Sequence, residues 1–522
     1  LFARSTVTAK LSQQMPNPGT VYLVGAGPGN PGLLTLRGAE LLASADVVVS
    51  DALVGPDLIN LAPDNAEIIF AGKRANLHAI PQDELNELLV EHAKANKVVV
   101  RLKGGDPFLF GRGGEEAERL AVSGIQFEIV PGVTSISAVP AYAGIPATHR
   151  EHCSSITVLT GHEHSYKPDS TIDWEHVAQE SGTKIILMGI ERLRPIAERL
   201  RENGLADDTP AALVRWGTTS QQQTLSGTLV DIADKAEQVK FDAPAIIIFG
   251  SVVNLRENLN WFEHRPLFGR RIIITRSRGQ SGQLVSSLVE LGAEILEIPV
   301  IKTVLPDDIE PLKDAIVGIA NYDWLVFTSS NGVEHFFKWF FETYDDIRAI
   351  GGCQIAAVGP STAARLKSLH LKIDLIPDEY TALGVANAFQ QHQSIENLNV
   401  CLLRAQVANP ELPKVLNEMG GIVDDIPVYK TVLETEDRNN AAARLAEDGA
   451  DLLTFTSGST VENFHARFDL PKTIEKHELQ VVSIGPETTR TLKKLGVEPA
   501  AEATPHNIDG MIEAILDTVS RS

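Results

Sequence analysis

The sequence predicts an α/β protein whose domains are built on largely parallel sheets, and three observations lead to that fold class. Short β-branched runs, such as VYLVG at 21–25, KVVVRL at 97–102 and AIIIFG at 245–250, alternate with amphipathic helical stretches. The chain has 522 residues, which favours roughly three or four compact units over one. The second half also repeats itself at a nearly constant offset, which is typical of a duplicated domain.

Composition and charge narrow the class of protein further. With 43% hydrophobic and 22% charged residues, the chain lies in the globular range. It has 46 Lys and Arg against 68 Asp and Glu, and this excess of acid disfavours a nucleic-acid partner. No apolar run approaches the roughly 18 residues of a membrane span, so we expect no membrane partner.

The three cysteines indicate the compartment. Cys153, Cys353 and Cys401 are far apart and form no CxxC pair, so they provide neither a disulfide framework nor a zinc site. We therefore expect the protein to be cytoplasmic.

The ends of the predicted elements suggest the domain boundaries. Residues 1–19 are expected to be a flexible tail; because they carry Arg, Lys and hydroxyl residues but no acid, an organelle-targeting segment stays open. The run of strands ends near Val253, and LRENLNWFEHRPLFGR follows at 255–270. We place a linker at 263–269.

The duplication covers the half that follows this linker. IIITRSRGQ at 272–280 and EIPVIKT at 297–303 recur as VCLLRAQVA at 400–408 and DIPVYKT at 425–431. Arg276 thus matches Arg404, and Thr303 matches Thr431. WLVFTSSNGVEHFF at 324–337 likewise recurs as LLTFTSGSTVENFH at 452–465. Two similar α/β lobes are therefore expected.

Hydroxyl residues follow the strands of both lobes. In open α/β sheets ligands bind beyond the carboxyl ends of strands, which makes Thr328, Ser329, Thr456 and Ser457 candidates for ligand contacts. A purely structural role, as N-caps of the following helices, is the alternative.

A first glycine-rich turn, GAGPGNPGLLT at 25–35, lies between a strand and a helix. Missing side chains let the backbone approach a ligand there. A dinucleotide fingerprint requires a third glycine where this chain has Asn30, and Pro28 interrupts the turn. A nicotinamide-dependent oxidoreductase is therefore kept only as an alternative function. Asp51, which follows the next strand, suits either a ribose contact or a base.

A second glycine-rich loop, RLKGGDPFLFGRGGEE at 101–116, follows a strand directly. Gly104 and Gly105 would admit a ligand, and the carboxylate of Asp106 suits an ammonium group better than a phosphate. Basic residues are concentrated around this loop, which indicates an anionic substrate, with solvated surface charge as the alternative. They are Lys73, Arg74, Arg101, Lys103, Arg112 and Arg150.

The histidines of this half do not predict a metal site. His149 and His152 form one pair, and LTGHEH at 159–164 contains another. Zinc sites usually need three or four convergent ligands, so we expect no metal.

Taken together, these motifs make residues 20–262 resemble the uroporphyrinogen-III C-methyltransferase family. The resemblance runs through GAGPGNPGLLTLRGAELLASADVVVSDALV, AGKRA, RLKGGDPFLFGRGGEE, PGVTS and GIPATHR. It implies a tetrapyrrole methylase fold that is not Rossmann, with subdomains at about 20–132 and 133–262. It also implies S-adenosylmethionine as the methyl donor, bound between the subdomains, and a homodimer formed through this half.

The resemblance also implies roles for individual residues. A proton acceptor falls on Asp51 and a proton donor on Lys73. Contacts to the methyl donor fall on Pro28, Gly104, Gly105, Asp106, Leu109, Thr134, Ser135, Met188 and Gly217. The carboxylates of the substrate would meet Arg74, Arg101, Lys103, Arg112 and Arg150. The family usually has Tyr and Asp where this chain has Ser50 and Asn30.

Residues 270–522 resemble the uroporphyrinogen-III synthase family through ITR, IPV, FTSSNGVE, VGPST, VYKT and IGPETT. The resemblance implies two flavodoxin-like lobes between which the chain crosses twice, with lobe one at 270–303 plus 432–522 and lobe two at 305–428. Tyr429 would be catalytic, although a structural role stays open. Substrate contacts are expected at Arg276, Ser329, Ser457 and Thr488.

Both resemblances together imply a bifunctional enzyme of tetrapyrrole biosynthesis. The C-terminal half would close hydroxymethylbilane to uroporphyrinogen III with inversion of ring D. The N-terminal half would methylate C2 and C7 to give precorrin-2, on the way to siroheme or cobalamin. The alternative is a methyltransferase alone, with a vestigial or solute-binding C-terminal half.

Overall fold

A computed structural model describes residues 16–72, 80–161, 171–276, 282–437 and 440–521. It contains four five-stranded sheets flanked by helices, which confirms the α/β class. The chain forms two compact units, one of Leu1–Ile298 with Glu436–Ser522 and the other of Pro299–Thr435. Among the described residues no helix is long and apolar enough to span a bilayer.

The first subdomain carries an all-parallel sheet. Its strands are β1 (Thr20–Gly25), β2 (Val47–Ser50), β3 (Glu67–Phe70), β4 (Val99–Lys103) and β5 (Gln126–Val130). Its helices are α1 (Leu36–Leu42), α2 (Gln82–Lys94) and α3 (Gly113–Val122), with 3-10 turns at Pro31–Leu33 and Pro56–Leu61. The strand order β3-β2-β4-β1-β5 puts β4 between β2 and β1. A Rossmann sheet has its first two strands adjacent, so this sheet is not Rossmann, as expected.

The second subdomain carries a mixed sheet. Its strands are β6 (Ile156–Thr160), β7 (Thr183–Leu187), β8 (Pro210–Arg215), β9 (Gln223–Thr228) and β10 (Ala245–Phe249). Its helices are α4 (Ser135–Tyr142), α5 (Trp174–Gln179), α6 (Leu193–Glu202), α7 (Ile232–Gln238) and α8 (Arg256–Leu259), with 3-10 turns at Ile190–Arg192 and Ser251–Leu255. Only β6 and β7 pair in parallel, because β8 and β9 form a hairpin and β10 returns between β7 and β8.

The predicted linker at 263–269 is packed rather than loose. The carboxylate of Glu263 accepts hydrogen bonds from Gln222 and Thr224, and it pairs with Arg256. Leu267 is fully buried in the core of the following lobe. The segment is therefore anchored at both ends.

The C-terminal half continues the α/β pattern. Its strands are β11 (Arg271–Ile274), β12 (Glu294–Glu297), β13 (Ile301–Val304), β14 (Trp324–Phe327), β15 (Gln354–Ala357), β16 (Asn399–Ala405), β17 (Ile422–Leu433), β18 (Leu452–Phe455), β19 (Gln480–Ser483) and β20 (Ala501–Glu502). Its helices are α9 (Gly282–Glu290), α10 (Glu310–Val317), α11 (Ser330–Thr343), α12 (Pro360–Ser368), α13 (Ala382–His392), α14 (Glu411–Glu418), α15 (Ala441–Asp448), α16 (Gly458–Phe468), α17 (Leu470–His477), α18 (Pro486–Lys494) and α19 (Ile508–Ser520), with 3-10 turns at Ile319–Asn321 and Ile347–Ile350.

These strands form two similar sheets. Lobe one has the order β12-β11-β18-β19-β20 with every pair parallel, which is the flavodoxin order 2-1-3-4-5. Lobe two has the order β13-β17-β16-β14-β15, in which only β13 is antiparallel to its neighbour. Each lobe thus combines the first part of one repeat with the second part of the other.

The lobe boundaries differ from the predicted ones by a few residues. The compact units change at 298 and 435, whereas the sequence suggested 303–305 and 428–432. The reason is that the two crossing segments, β13 and the end of β17, pair with each other in the sheet of lobe two. Thr303 lies opposite Thr431 in this ladder, so matching positions of the two repeats face each other across a local twofold axis.

Candidate active sites

Three loops of the methylase half meet backbone to backbone. Gly105 N donates to Gly27 O at 2.7 Å, and Gly27 N donates to Gly105 O at 3.2 Å, which joins the two glycine-rich loops. A Cβ on Gly132 would lie 2.2 Å from Gly105 O, and one on Gly25 would lie 2.5 Å from Gly132 Cα. Gly105 also has φ +66°, a conformation that favours glycine. Only residues without side chains fit this crossing.

Asp106 fastens the second loop to its neighbour. Its Oδ1 accepts from Phe108 N at 2.8 Å, and its Oδ2 accepts from Gly132 N at 3.1 Å. The sequence interpretation assigned this carboxylate to a ligand ammonium group. In the structure each oxygen accepts one backbone hydrogen bond, so Asp106 helps to shape the loop, and its contact with a ligand ammonium group stays a prediction.

The other predicted contacts to the methyl donor lie in several loops of the two subdomains. Thr134 caps α4, whose first residue is Ser135, and a Cβ on Gly105 would lie 4.0 Å from Ser135 N. Leu109 and Met188 are exposed apolar side chains. Gly104 and Pro28 belong to the two joined loops and are half-buried.

Gly217 lies in a strained loop that contacts the first glycine-rich turn. Its neighbours Trp216 and Thr218 have φ 49° and 70°, and a Cβ on Gly217 would lie 2.4 Å from Val139. Asn30 N donates to Thr218 Oγ1 at 3.1 Å. The loop and the turn are therefore held together.

Asp51 is anchored by a buried charge cluster. It follows β2, is half-buried, and accepts a hydrogen bond from Arg101 Nη2. Arg101 Nε lies 3.1 Å and Lys103 Nζ 2.9 Å from Glu116 Oε1. Glu116 is fully buried on α3. Burial and the neighbouring Arg101 charge lower the pKa of Lys103.

This cluster also contains Arg101 and Lys103, for which the sequence predicts contacts with the substrate. Both residues are 2% exposed, because they occupy alternate positions of a central strand and point to the face that α3 covers. Their charges are taken up by Glu116 and Asp51. They therefore hold Asp51 and Glu116 in place, and their contact with a polyacid stays a prediction.

The remaining predicted cations lie closer to solvent. Arg112 precedes α3, has φ 58°, and pairs with Glu115, with both side chains exposed. Arg150 is exposed in a turn. Lys73 and Arg74 lie outside the described residues. No group of three or more metal-ligating side chains occurs in the described part of the chain.

Lobe two contains a compact hydroxyl and ring cluster. Tyr429 is 7% exposed, and its hydroxyl lies 3.0 Å from Ser329 Oγ. Ser329 also caps α11 by accepting from Gly332 N. His335 stacks on Tyr429 with ring centroids 5.5 Å apart, and its Nε2 lies 2.9 Å from Thr303 Oγ1. Burial and the nearby Lys338 lower the pKa of His335.

The predicted residues of lobe one are arranged differently. Ser457 caps α16 through Thr460 N, as the N-cap alternative expected. Arg276 follows β11, and loss of solvation lowers its pKa. Thr488 lies on α18 and is 3% exposed, and its contact with the substrate stays a prediction. Thr328 and Thr456 are half-buried.

Sequence reasoning missed Glu116 and His335. Glu116 is four residues before Leu120 on the buried face of α3, so its helical position was the available signal. For His335 the only signal is that the matching position of the second repeat holds Asn463.

Comparisons with known proteins cover both halves. The model of Tetrapyrrole (Corrin/Porphyrin) Methylases matches residues 20–233, and that of Uroporphyrinogen-III synthase HemD matches residues 282–513. "Porphyrin biosynthesis protein HemD" of Ruminiclostridium josui is 39% identical over 503 residues, which are 96% of this chain and 98% of that protein.

Two further matches concern the first half alone. "S-adenosyl-L-methionine-dependent uroporphyrinogen III methyltransferase" of Methanosarcina barkeri is 53% identical over 47% of this chain and 95% of its own length. A crystal structure of uroporphyrin-III C-methyl transferase from Thermus thermophilus with S-adenyl homocysteine covers 45% of this chain and 99% of its own, at 38% identity and a TM-score of 0.39. The chain therefore belongs to the family of porphyrin biosynthesis proteins that join a tetrapyrrole methylase to a uroporphyrinogen-III synthase.

Proposed function

We propose that this chain catalyses two consecutive steps of tetrapyrrole biosynthesis. The C-terminal half closes hydroxymethylbilane to uroporphyrinogen III with inversion of ring D. The N-terminal half then methylates C2 and C7 of that product to precorrin-2, which leads to siroheme or cobalamin. The observation that carries the proposal is the glycine crossing of Gly25, Gly105 and Gly132, because it lies next to the anchored carboxylate of Asp51 at the strand ends of one sheet.

The glycine crossing suits S-adenosylmethionine. Its walls are bare backbone, and the exposed side chains of Leu109 and Met188 offer apolar surface to a ligand that carries a ring and an aliphatic chain. Gly104, Thr134, Ser135, Gly217 and Pro28 complete the proposed contacts. When bound, the sulfonium supplies an electrophilic methyl carbon.

The chain's own residues align the reactants and move one proton. Methylation of a pyrrole carbon forms a carbon–carbon bond and creates a cationic ring, from which a proton must leave. Asp51 accepts this proton, and Arg101 keeps its carboxylate in place through their ion pair. Most of the rate enhancement comes from holding the two reactants in line. Lys73 is proposed as the proton donor.

The substrate presents several carboxylates. Arg112 and Arg150 are the described cations that remain exposed near the second loop and GIPATHR, and Arg74 is the third proposed contact. Charge-assisted hydrogen bonds from arginine suit carboxylates well.

Ring closure requires the synthase half to fold a linear tetrapyrrole. Loss of the terminal hydroxyl leaves a reactive cation-like azafulvene, so shaping the chain around it matters more than a strong nucleophile. We propose that the Tyr429 hydroxyl assists departure of that hydroxyl group by donating a hydrogen bond, while Ser329 fixes its direction. Arg276, Ser457 and Thr488 are proposed substrate contacts.

Three further expectations belong to this proposal. The methyltransferase half forms a homodimer, the protein acts in the cytoplasm without a nucleic-acid or membrane partner, and the reactions need no metal.

Incubation of the full chain with hydroxymethylbilane, with and without S-adenosylmethionine, tests the proposal. We expect uroporphyrinogen III without the methyl donor and precorrin-2 with it, identified by absorption spectra and mass. Accumulation of uroporphyrinogen I alone would contradict the synthase assignment.

Two variants locate the methyl transfer. Asp51→Ala should slow methylation about 10²-fold while ring closure stays at the wild-type rate. Gly105→Leu should abolish binding of S-adenosylhomocysteine in calorimetry, because the side chain does not fit φ +66°. Equal loss of both activities would indicate misfolding, and unchanged affinity of the Gly105 variant would remove this loop from the site.

A further inference from the structure

A polar cluster lies where the methylase half meets lobe one. We call it the junction cluster; its members all belong to the first compact unit. They are Asp57 and Gln221 from the methylase half, and Arg271, Glu294 and Arg444 from lobe one.

Glu294, the first residue of β12, is the centre of the cluster. Its Oε2 accepts from Gln221 Nε2 at 2.9 Å and lies 3.0 Å from Arg271 Nε, while its Oε1 pairs with Arg444 Nη2. Its side chain is 14% exposed. One carboxylate of the synthase half therefore receives donors from both halves of the chain.

Asp57 is coupled to the same charges. It lies in the 3-10 turn after Gly55 and is half-buried. Loss of solvation raises its pKa to about 6, with Arg444 acting in the opposite direction and Glu294 adding to the rise. Burial is the main cause of this rise in pKa, and the charges of Arg444 and Glu294 are smaller contributions.

Both of these segments border the first glycine-rich turn. On one side, a Cβ on Gly55 would lie 2.9 Å from Gly29 O. On the other, a Cβ on Gly29 would lie 2.7 Å from Thr219 Cγ2, and Thr218 accepts from Asn30 N. Gln221 is two residues beyond Thr219. Lobe one therefore bonds directly to one of the two segments that enclose the turn around Pro28, the loop that ends at Gln221.

We propose that Glu294 is a positioning residue for methyl-donor binding, although it belongs to the synthase half. Through Gln221 it holds the loop at 216–221, whose Trp216 and Thr218 have left-handed backbone conformations that persist only where the surroundings hold them. The proposal rests on the proposed function, because the ligand is the methyl donor. By linkage, donor binding stabilises the junction in return.

Calorimetry with S-adenosylhomocysteine on the full chain tests this proposal. Gln221→Ala removes the shorter of the two bonds from the methylase side, leaves the 3.5 Å bond from Ser220 Oγ, and keeps Arg271 and Arg444 paired with Glu294. We expect Gln221→Ala and Glu294→Ala each to weaken binding at least threefold, and the double variant to be no weaker than Glu294→Ala alone. Glu290→Ala, an exposed carboxylate of the same lobe, is the matched control and should bind like the wild type.

Steady-state kinetics separates positioning from a structural role. In Gln221→Ala the KM for S-adenosylmethionine should rise. The kcat of methylation and the rate of ring closure should both stay unchanged. Wild-type affinity in Gln221→Ala, or additive effects in the double variant, would overturn the proposal; if Glu294→Ala does not fold, Gln221→Ala alone decides. Failure of the wild type to bind the probe would instead contradict the proposed function.

Discussion

The two lobes of the synthase half share a framework but differ in the side chains placed on it. In both, a serine after the matching strand caps the next helix, Ser329 in lobe two and Ser457 in lobe one. Lobe two carries Tyr429 and His335. The residue that matches Tyr429 is Ile301, which also lies in lobe two, and the residue that matches His335 is Asn463 in lobe one. Duplication therefore preserved the strand order and the caps, while the candidate chemistry developed in lobe two.

The largest expected effect is on the rate of ring closure, after substitution of Tyr429. Tyr429→Phe should slow formation of uroporphyrinogen III about 10²-fold, the usual effect of removing one donor that acts on a developing charge. Tyr322→Phe, which removes a hydroxyl bonded to Asp424 in the same lobe, is the control and should leave the rate unchanged. A normal rate in Tyr429→Phe would favour the purely structural role.

The second largest expected difference is in how much the matching residues Arg404 and Arg276 contribute to the stability of their lobes. Arg404 is 8% exposed and forms two 2.6 Å bonds to Asp425. Arg404→Ala should lower the stability of lobe two by about 2 kcal/mol, less than for a fully buried pair because Asp425 is partly exposed. Arg276→Ala should lower the stability of lobe one by less, because burial already disfavours the charge of Arg276. Hydrogen exchange of individual peptides measures the stability of each lobe. Equal losses of stability in the two variants would contradict the expected difference between the arginines.

The serine caps provide a more symmetrical test. Ser329→Ala and Ser457→Ala should each destabilise their lobe by about 1 kcal/mol, since each loses one N-cap bond. Ser329→Ala should slow ring closure more than Ser457→Ala does, because Tyr429 loses its partner, whereas Ser457→Ala removes only one proposed substrate contact. Equal slowing in the two variants would show that lobe one takes an equal part in the chemistry.

The smallest expected effect is a pH dependence confined to lobe two. The pKa of His335 is lowered in the folded protein, so the unfolded chain binds a proton first as the pH falls below about 6.5. Stability is full above that pH and declines as the pH falls toward the folded pKa. Urea denaturation at pH 7.5 and 5.5 measures how much the free energy of unfolding changes with pH. This change should be smaller in His335→Asn, which introduces the residue of the other repeat, than in the wild type. An equal change in both proteins would exclude His335 as the source of the pH dependence.

The sequence predicts the fold and the glycine loops well for a physical reason. Close backbone crossings require glycine whatever surrounds them. The glycines of the turn at 25–29 and of Gly104 and Gly105 therefore predict these crossings from the sequence alone. Asn30 and Pro28 disfavoured a dinucleotide fingerprint, the family resemblance implied a fold that is not Rossmann, and the strand order agrees.

The environment of the charged residues was harder to predict. Arg101 and Lys103 look like surface cations, since nothing local shows that Glu116 arrives from α3 to neutralise them. The lobe boundaries shifted because antiparallel pairing of β13 with β17 depends on a segment more than a hundred positions away. Long-range partners of this kind cannot be inferred from residue types.

The double crossing of the chain has a consequence for biosynthesis on the ribosome. Lobe two consists of one continuous stretch, Pro299–Thr435, and can begin to fold as soon as that stretch has emerged. The strands β11 and β12 are translated much earlier than β18, which pairs with β11. Until the final segment is made, they present an incomplete apolar sheet edge to cellular chaperones.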